Sequence, residues 1–133
     1  MHIEKNTQDP DLLNMRLDVD EAEVVMSMAT ERIRVRLLEG REPVELDEQL
    51  SDAIAADRAV CLTGNELAVH YIRSALNLYA VRSVTEARSI QESMGEDPDA
   101  VGMAMDRFDL GIRAQQMVVD IESEGFWAPT SNL

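Results

Sequence analysis

Along this chain the apolar positions recur mostly at intervals of three and four, the spacing of one face of an α-helix. The longest such stretch is Glu66 to Met94, which contains no Gly or Pro, is entered through Gly64-Asn65 and is left at Gly95. Its apolar residues (Leu67, Tyr71, Ile72, Ala75, Leu76, Leu78, Tyr79, Val81, Ala87, Ile90 and Met94) cover a wide arc. An arc that wide predicts a central helix with neighbours on several sides. Ser83 and Glu86 have the spacing of a capping box, so a bend or restart is expected there.

Three more helices are predicted around it. Asp18 or Asp20 offers an N-cap for a helix running to about Glu39 and stopping at Gly40. Arg32 to Leu37 also alternates at period two, so a strand over residues 32–38 is the rival reading, with no second strand of similar quality to pair with it. A second helix is expected from about Glu45 to Leu62. Leu46, Leu50, Ala53, Ile54, Val60 and Cys61 face inward on it, and Glu45, Asp47, Glu48, Asp52 and Asp57 face out. In Glu96-Asp97-Pro98-Asp99, Asp97 is suited to the N-cap, Pro98 to the first turn and Asp99 to the helix dipole, so a last helix should run to about Glu124 and end at Gly125. Residues 1–17 are polar and mixed and read as an irregular arm that Leu12, Leu13, Met15 and Leu17 could dock. The expected fold is therefore all-α: an antiparallel bundle of three to four main helices forming one domain over residues 18–125, followed by a tail over 126–133.

Two helices carry two apolar stripes on nearly opposite sides. On the first these are Ala22, Met26, Ala29, Ile33 and Leu37 against Val24, Met28, Val35 and Leu38. On the last they are Val101, Ala104, Met105, Phe108, Ile112, Gln115 and Val119 against Met103, Leu110, Ala114, Met117 and Ile121. A bundle helix buries one stripe. The second implies burial between layers or contact with another chain, and a two-fold homodimer using Met26, Met28, Val35, Leu38, Met103, Leu110 and Met117 is expected.

Composition changes the picture mainly through charge. Twenty-six acids oppose twelve bases, a formal net charge of −14, and Lys5 is the only lysine. Direct binding of nucleic acid phosphates is disfavoured, because that requires a cationic footprint. Anionic membranes are disfavoured for the same reason, and no apolar run approaches the length of a membrane span. The first residues show no apolar leader, which points to a cytoplasmic setting. The excess acid lies over residues 41–58 and 96–124, while Glu66–Met94 is balanced.

Rows of carboxylates on helices can occupy a basic groove as a nucleic acid would, a device of inhibitors encoded by phages and other mobile elements. The function expected is thus non-enzymatic: binding, and inhibition, of a protein with a basic surface. Asp97, Asp99, Asp106, Asp109, Asp120, Glu122 and Glu124 are the contact residues, with Trp127 as an anchor.

Chemistry finds little support. Cys61 is alone, so neither a disulfide nor a cysteine metal site is expected. His70 stands one turn after Glu66, a pair better explained as a helical salt bridge than as metal ligands. Phosphate-cradling, nucleophilic-serine and zinc motifs are absent, and no catalytic residue, metal or cofactor is assigned. The alternative kept open is a Mg²⁺-dependent all-α nucleotide pyrophosphohydrolase using Asp106 and Asp109 with Glu45 and Glu48, although the paired acidic signatures of such enzymes are not found here. A structural subunit of a larger assembly is a third reading.

Overall fold

The fold is seen in a computed structural model, which describes residues 1–56 and 61–124. Four helices dominate: α1 (Val19–Leu38), α2 (Glu45–Ala56), α3 (Glu66–Met94) and α4 (Pro98–Ser123). A small antiparallel sheet joins them, in the order β1 (His2–Lys5), β2 (Leu13–Arg16), β3 (Cys61–Gly64). The all-α expectation is corrected by this sheet.

The sheet forms for a local reason and a distant one. Asn6 Oδ1 accepts from the backbone N–H groups of Gln8 and Asp9, which holds the turn between β1 and β2. Leu13, Met15 and Leu17 then alternate inward with Ile3 opposite Met15, and all four are buried. The segment expected to be an irregular arm is thus a β-hairpin docked on the core. The distant contribution is β3, which pairs with β2 so that Thr63 lies opposite Asn14 and donates to its side chain (3.0 Å). The second helix, described over Glu45–Ala56, therefore does not reach Leu62, which lies on β3. Cys61 lies on β3 and is exposed, not on a helix face. Asp57 and Val60 fall outside the described residues.

Helix ends follow the cap chemistry. Asp18 and Glu21 close a reciprocal capping box on α1. Gly40, at φ 73°, takes the left-handed turn that ends it. Residues 32–38 are helical. Asn65 caps α3 through the Ala68 N–H (2.9 Å), and Asp97 caps α4 ahead of Pro98. No break occurs at Ser83–Glu86. The helix is continuous there, because Ser83 is buried against α4 and its hydroxyl is not used as a cap.

α3 and α4 form an antiparallel hairpin: Arg73 meets Glu122, Ser83 meets Gly111, and Glu86 meets Arg107. Their seam is built of small residues, with Ala80, Ser83 and Ala87 on α3 and Ala100, Ala104, Gly111 and Ala114 on α4 all buried. At its narrow point a Cβ on Gly111 would stand 3.1 Å from Ser83 Cβ and 3.2 Å from the Ala80 carbonyl oxygen. The large core side chains sit toward the other end of the hairpin, where Ile3 and Met15 of the sheet, Val24, Val25 and Met28 of α1, Leu76 of α3 and Ile121 of α4 meet.

Candidate interaction surface

Two arginine–tyrosine–carboxylate clusters fix the helices that carry the surface. In the first, Asp47 of α2 is fully buried, accepts from the Tyr71 hydroxyl (2.5 Å), and lies 3.2 Å from Arg32 Nε of α1. The Arg32 guanidinium also stands 5.3 Å from the Tyr71 ring centroid. Burial, and then the neighbouring Asp47 carboxylate, push the Tyr71 phenol up to about 12. Asp47 was expected on the outer face of its helix. It turns inward because it completes this three-helix junction.

In the second cluster Arg107 of α4 pairs with Glu31 of α1 and with Glu86 of α3 (3.4 Å), and donates to the Tyr79 hydroxyl (3.1 Å). Burial raises the Tyr79 phenol as well. Adjacent residues of α1, Glu31 and Arg32, thus serve opposite charges in two neighbouring clusters.

The seven acids expected to contact a partner lie along one helix and do not converge. At ~1.5 Å per residue, Asp99 and Glu122 stand more than ~30 Å apart along α4. Several have local tasks. Asp97 caps the helix, Asp109 is held by Arg113 (3.0 Å), and Glu122 lies 3.6 Å from Arg73. Asp120 accepts from Gln116, and Glu124 accepts from the Ile3 N–H and faces His2. Asp99 and Asp106 are exposed and have no ion-pair partner among the described residues. The same holds for Glu48 and Asp52 on α2 and for Asp20 and Glu23 on α1. Trp127 lies outside the described residues.

The residues expected at a dimer contact are also dispersed. Met28 and Met117 are consumed by the chain's own core, and Met26 and Leu110 pack against it. Val35 is half-buried, while Leu38 and Met103 are exposed. On α1 the two stripes mean burial between layers over the first half of the helix. On α4 the stripe left uncovered is the other one, through Met105, Phe108, Ile112 and Val119. The sequence signal for it was present, because those residues form a stripe of their own.

Glu45 and Glu48 sit on α2, which packs on α1, so they do not join Asp106 and Asp109 of α4 in one site. Among the described residues no group of three or more His, Cys, Asp or Glu is placed to hold a metal ion, His70 and Glu66 included. No helix among them is long and apolar enough to cross a membrane. No family model, curated protein or solved structure matches the chain.

Proposed function

We propose that this chain is a non-enzymatic acidic interaction protein that binds, and thereby blocks, a protein partner with a basic surface. The observation that carries this reading is how the arginines are used. Arg32 and Arg107 are tied into the two tyrosine clusters. Arg16, Arg73 and Arg113 pair with Glu4, Glu122 and Asp109, and Arg36 donates to the Glu42 carbonyl oxygen. These six of the twelve cations thus serve the fold, and exposed carboxylates such as Asp99, Asp106, Glu48 and Asp52 have no ion-pair partner among the described residues. A surface of that kind attracts cationic proteins and speeds their encounter.

Within this reading Asp99 and Asp106 make the direct contacts on α4, while Asp97, Asp109, Asp120, Glu122 and Glu124 contribute field from positions fixed by their local bonds. The test uses partners captured from the native host at low salt and then rebound to purified chain. Asp99→Lys with Asp106→Lys should weaken rebinding at least tenfold while the chain stays folded, since Asp106 has no partner to lose among the described residues and Asp99 complements the α4 dipole by only about 0.3–1 kcal/mol; circular dichroism is the control. Rebinding at wild-type strength would remove these residues from the contact.

A further inference from the structure

We propose that the outward face of the α3–α4 hairpin is the contact between two copies of this chain, related by a two-fold axis. Along α4, Val101, Met105, Phe108, Ile112, Gln115 and Val119 follow one another at steps of four, three, four, three and four. That is the 3.5-residue repeat of a coiled-coil seam. It is not the face that meets α3, which uses Ala104 and Gly111. Among the described residues of one copy nothing covers the seam: Met105 is 67% exposed, Phe108 48%, Ile112 50% and Val119 48%.

Beside this ridge runs a groove of about 410 Å³ between the two helices, with Ala87 and Ala104 among its lining residues and Val84, Val101, Met105 and Phe108 around them. Ridge and groove share one face, as a self-complementary contact requires: the ridge of each copy enters the groove of the other. The face is about 27 Å long and two helices wide, on the order of the ~800 Å² that each side gives to a standard interface.

Charge selects the occupant. The groove is lined by one arginine, Arg88, and by no carboxylate, on a chain with twenty-six acids. A basic partner gains nothing there, whereas a second acidic copy meets the least repulsive part of its own surface. Arg88 has no ion-pair partner among the described residues, and Asp109, held within its own copy by the exposed Arg113 at 3.0 Å, lies about 100° around α4 from Phe108, on the edge away from α3, where its carboxylate can accept a second arginine. The two-fold pairing brings Arg88 of each copy toward Asp109 of the other.

Light scattering on purified chain at ~50 µM tests this, with circular dichroism as the folding control. The wild type should have twice the mass of the 14.9 kDa chain. Phe108→Asp with Ile112→Asp, both at exposed helix positions, should give a folded monomer. Arg88→Glu should raise the dimer dissociation constant at least tenfold, and adding Asp109→Arg should recover most of the loss. A monomeric wild type overturns the dimer. A dimer that survives the double substitution overturns the choice of face. An unchanged constant in Arg88→Glu overturns the two-fold pairing described. None of these outcomes bears on binding of a basic partner through Asp99 and Asp106, which stands or fails separately.

Discussion

The Tyr71 hydroxyl donates to the buried Asp47 carboxylate at 2.5 Å, tying α3 to α2, while Arg32 of α1 neutralises the same carboxylate from 3.2 Å. Removing one member of such a junction leaves the others buried and unsatisfied. Asp47→Ala should lower unfolding free energy by about 3 kcal/mol, and Tyr71→Phe by about 1–2 kcal/mol. Chemical denaturation at neutral pH measures both. A loss below ~1 kcal/mol for Asp47→Ala would mean that Asp47 does not bind the three helices together.

Both tyrosines of the chain sit in these clusters, and both phenols are raised above their usual value. The folded state therefore holds the phenolic protons more tightly than the unfolded state does. The stability this contributes is whole below about pH 10, and it is lost as pH rises toward the Tyr71 value of about 12. In ultraviolet titration of the native protein both phenolate steps should lie above the step of the denatured chain, with Tyr71 at about 12. A native titration that coincides with the denatured one would contradict the buried clusters.

The two glycines of α4 make opposite predictions. A Cβ on Gly111 meets Ser83, Val84 and the Ala80 carbonyl, whereas one on Gly102 meets nothing within 4 Å. Gly111→Leu should force the hairpin apart and cost about 2–3 kcal/mol. Gly102→Ala should stabilise by about 0.5–1 kcal/mol, because it relieves the glycine penalty in an open helix interior. Thermal melts of the pair decide whether the small-residue seam lies where it is described.

The Arg107 cluster gives a fourth test. Arg107→Met keeps the aliphatic stem but removes the charge that joins Glu31, Glu86 and Tyr79. It should cost about 2 kcal/mol at neutral pH. A double-mutant cycle with Glu31→Gln, read by chemical denaturation, separates loss of the charge pair from simple loss of packing, which would give no coupling between the two sites.

The parts of this fold that were legible in the sequence are those set by neighbouring residues. Asn65 and Gly95 bound α3, and Asp97-Pro98 starts α4, because caps act within a few positions. The sheet was hidden because its strands are four residues long and β3 finds its partner almost fifty positions away. Asp47 was hidden inside Glu45-Leu46-Asp47-Glu48, where nothing local separates a buried carboxylate from a solvated one. Its identity depends on Arg32 and Tyr71, fifteen and twenty-four positions distant. The acidic surface was legible as composition, yet the local bonds that engage Asp97, Asp109, Asp120, Glu122 and Glu124 were not. On α4 the doubled stripes were real, but the seam with α3 is made of alanine and glycine, which hydropathy does not emphasise.

Recruitment of a basic protein by uncompensated carboxylates, the function proposed above, has a signature in salt. The most direct measurement is the dissociation constant of the captured complex over a range of sodium chloride from about 0.05 to 0.5 M, across which the Debye length falls roughly threefold. Binding should weaken steeply with salt, at least a hundredfold over that range, and much less steeply for Asp99→Lys with Asp106→Lys. A constant that does not change with salt would contradict that recruitment.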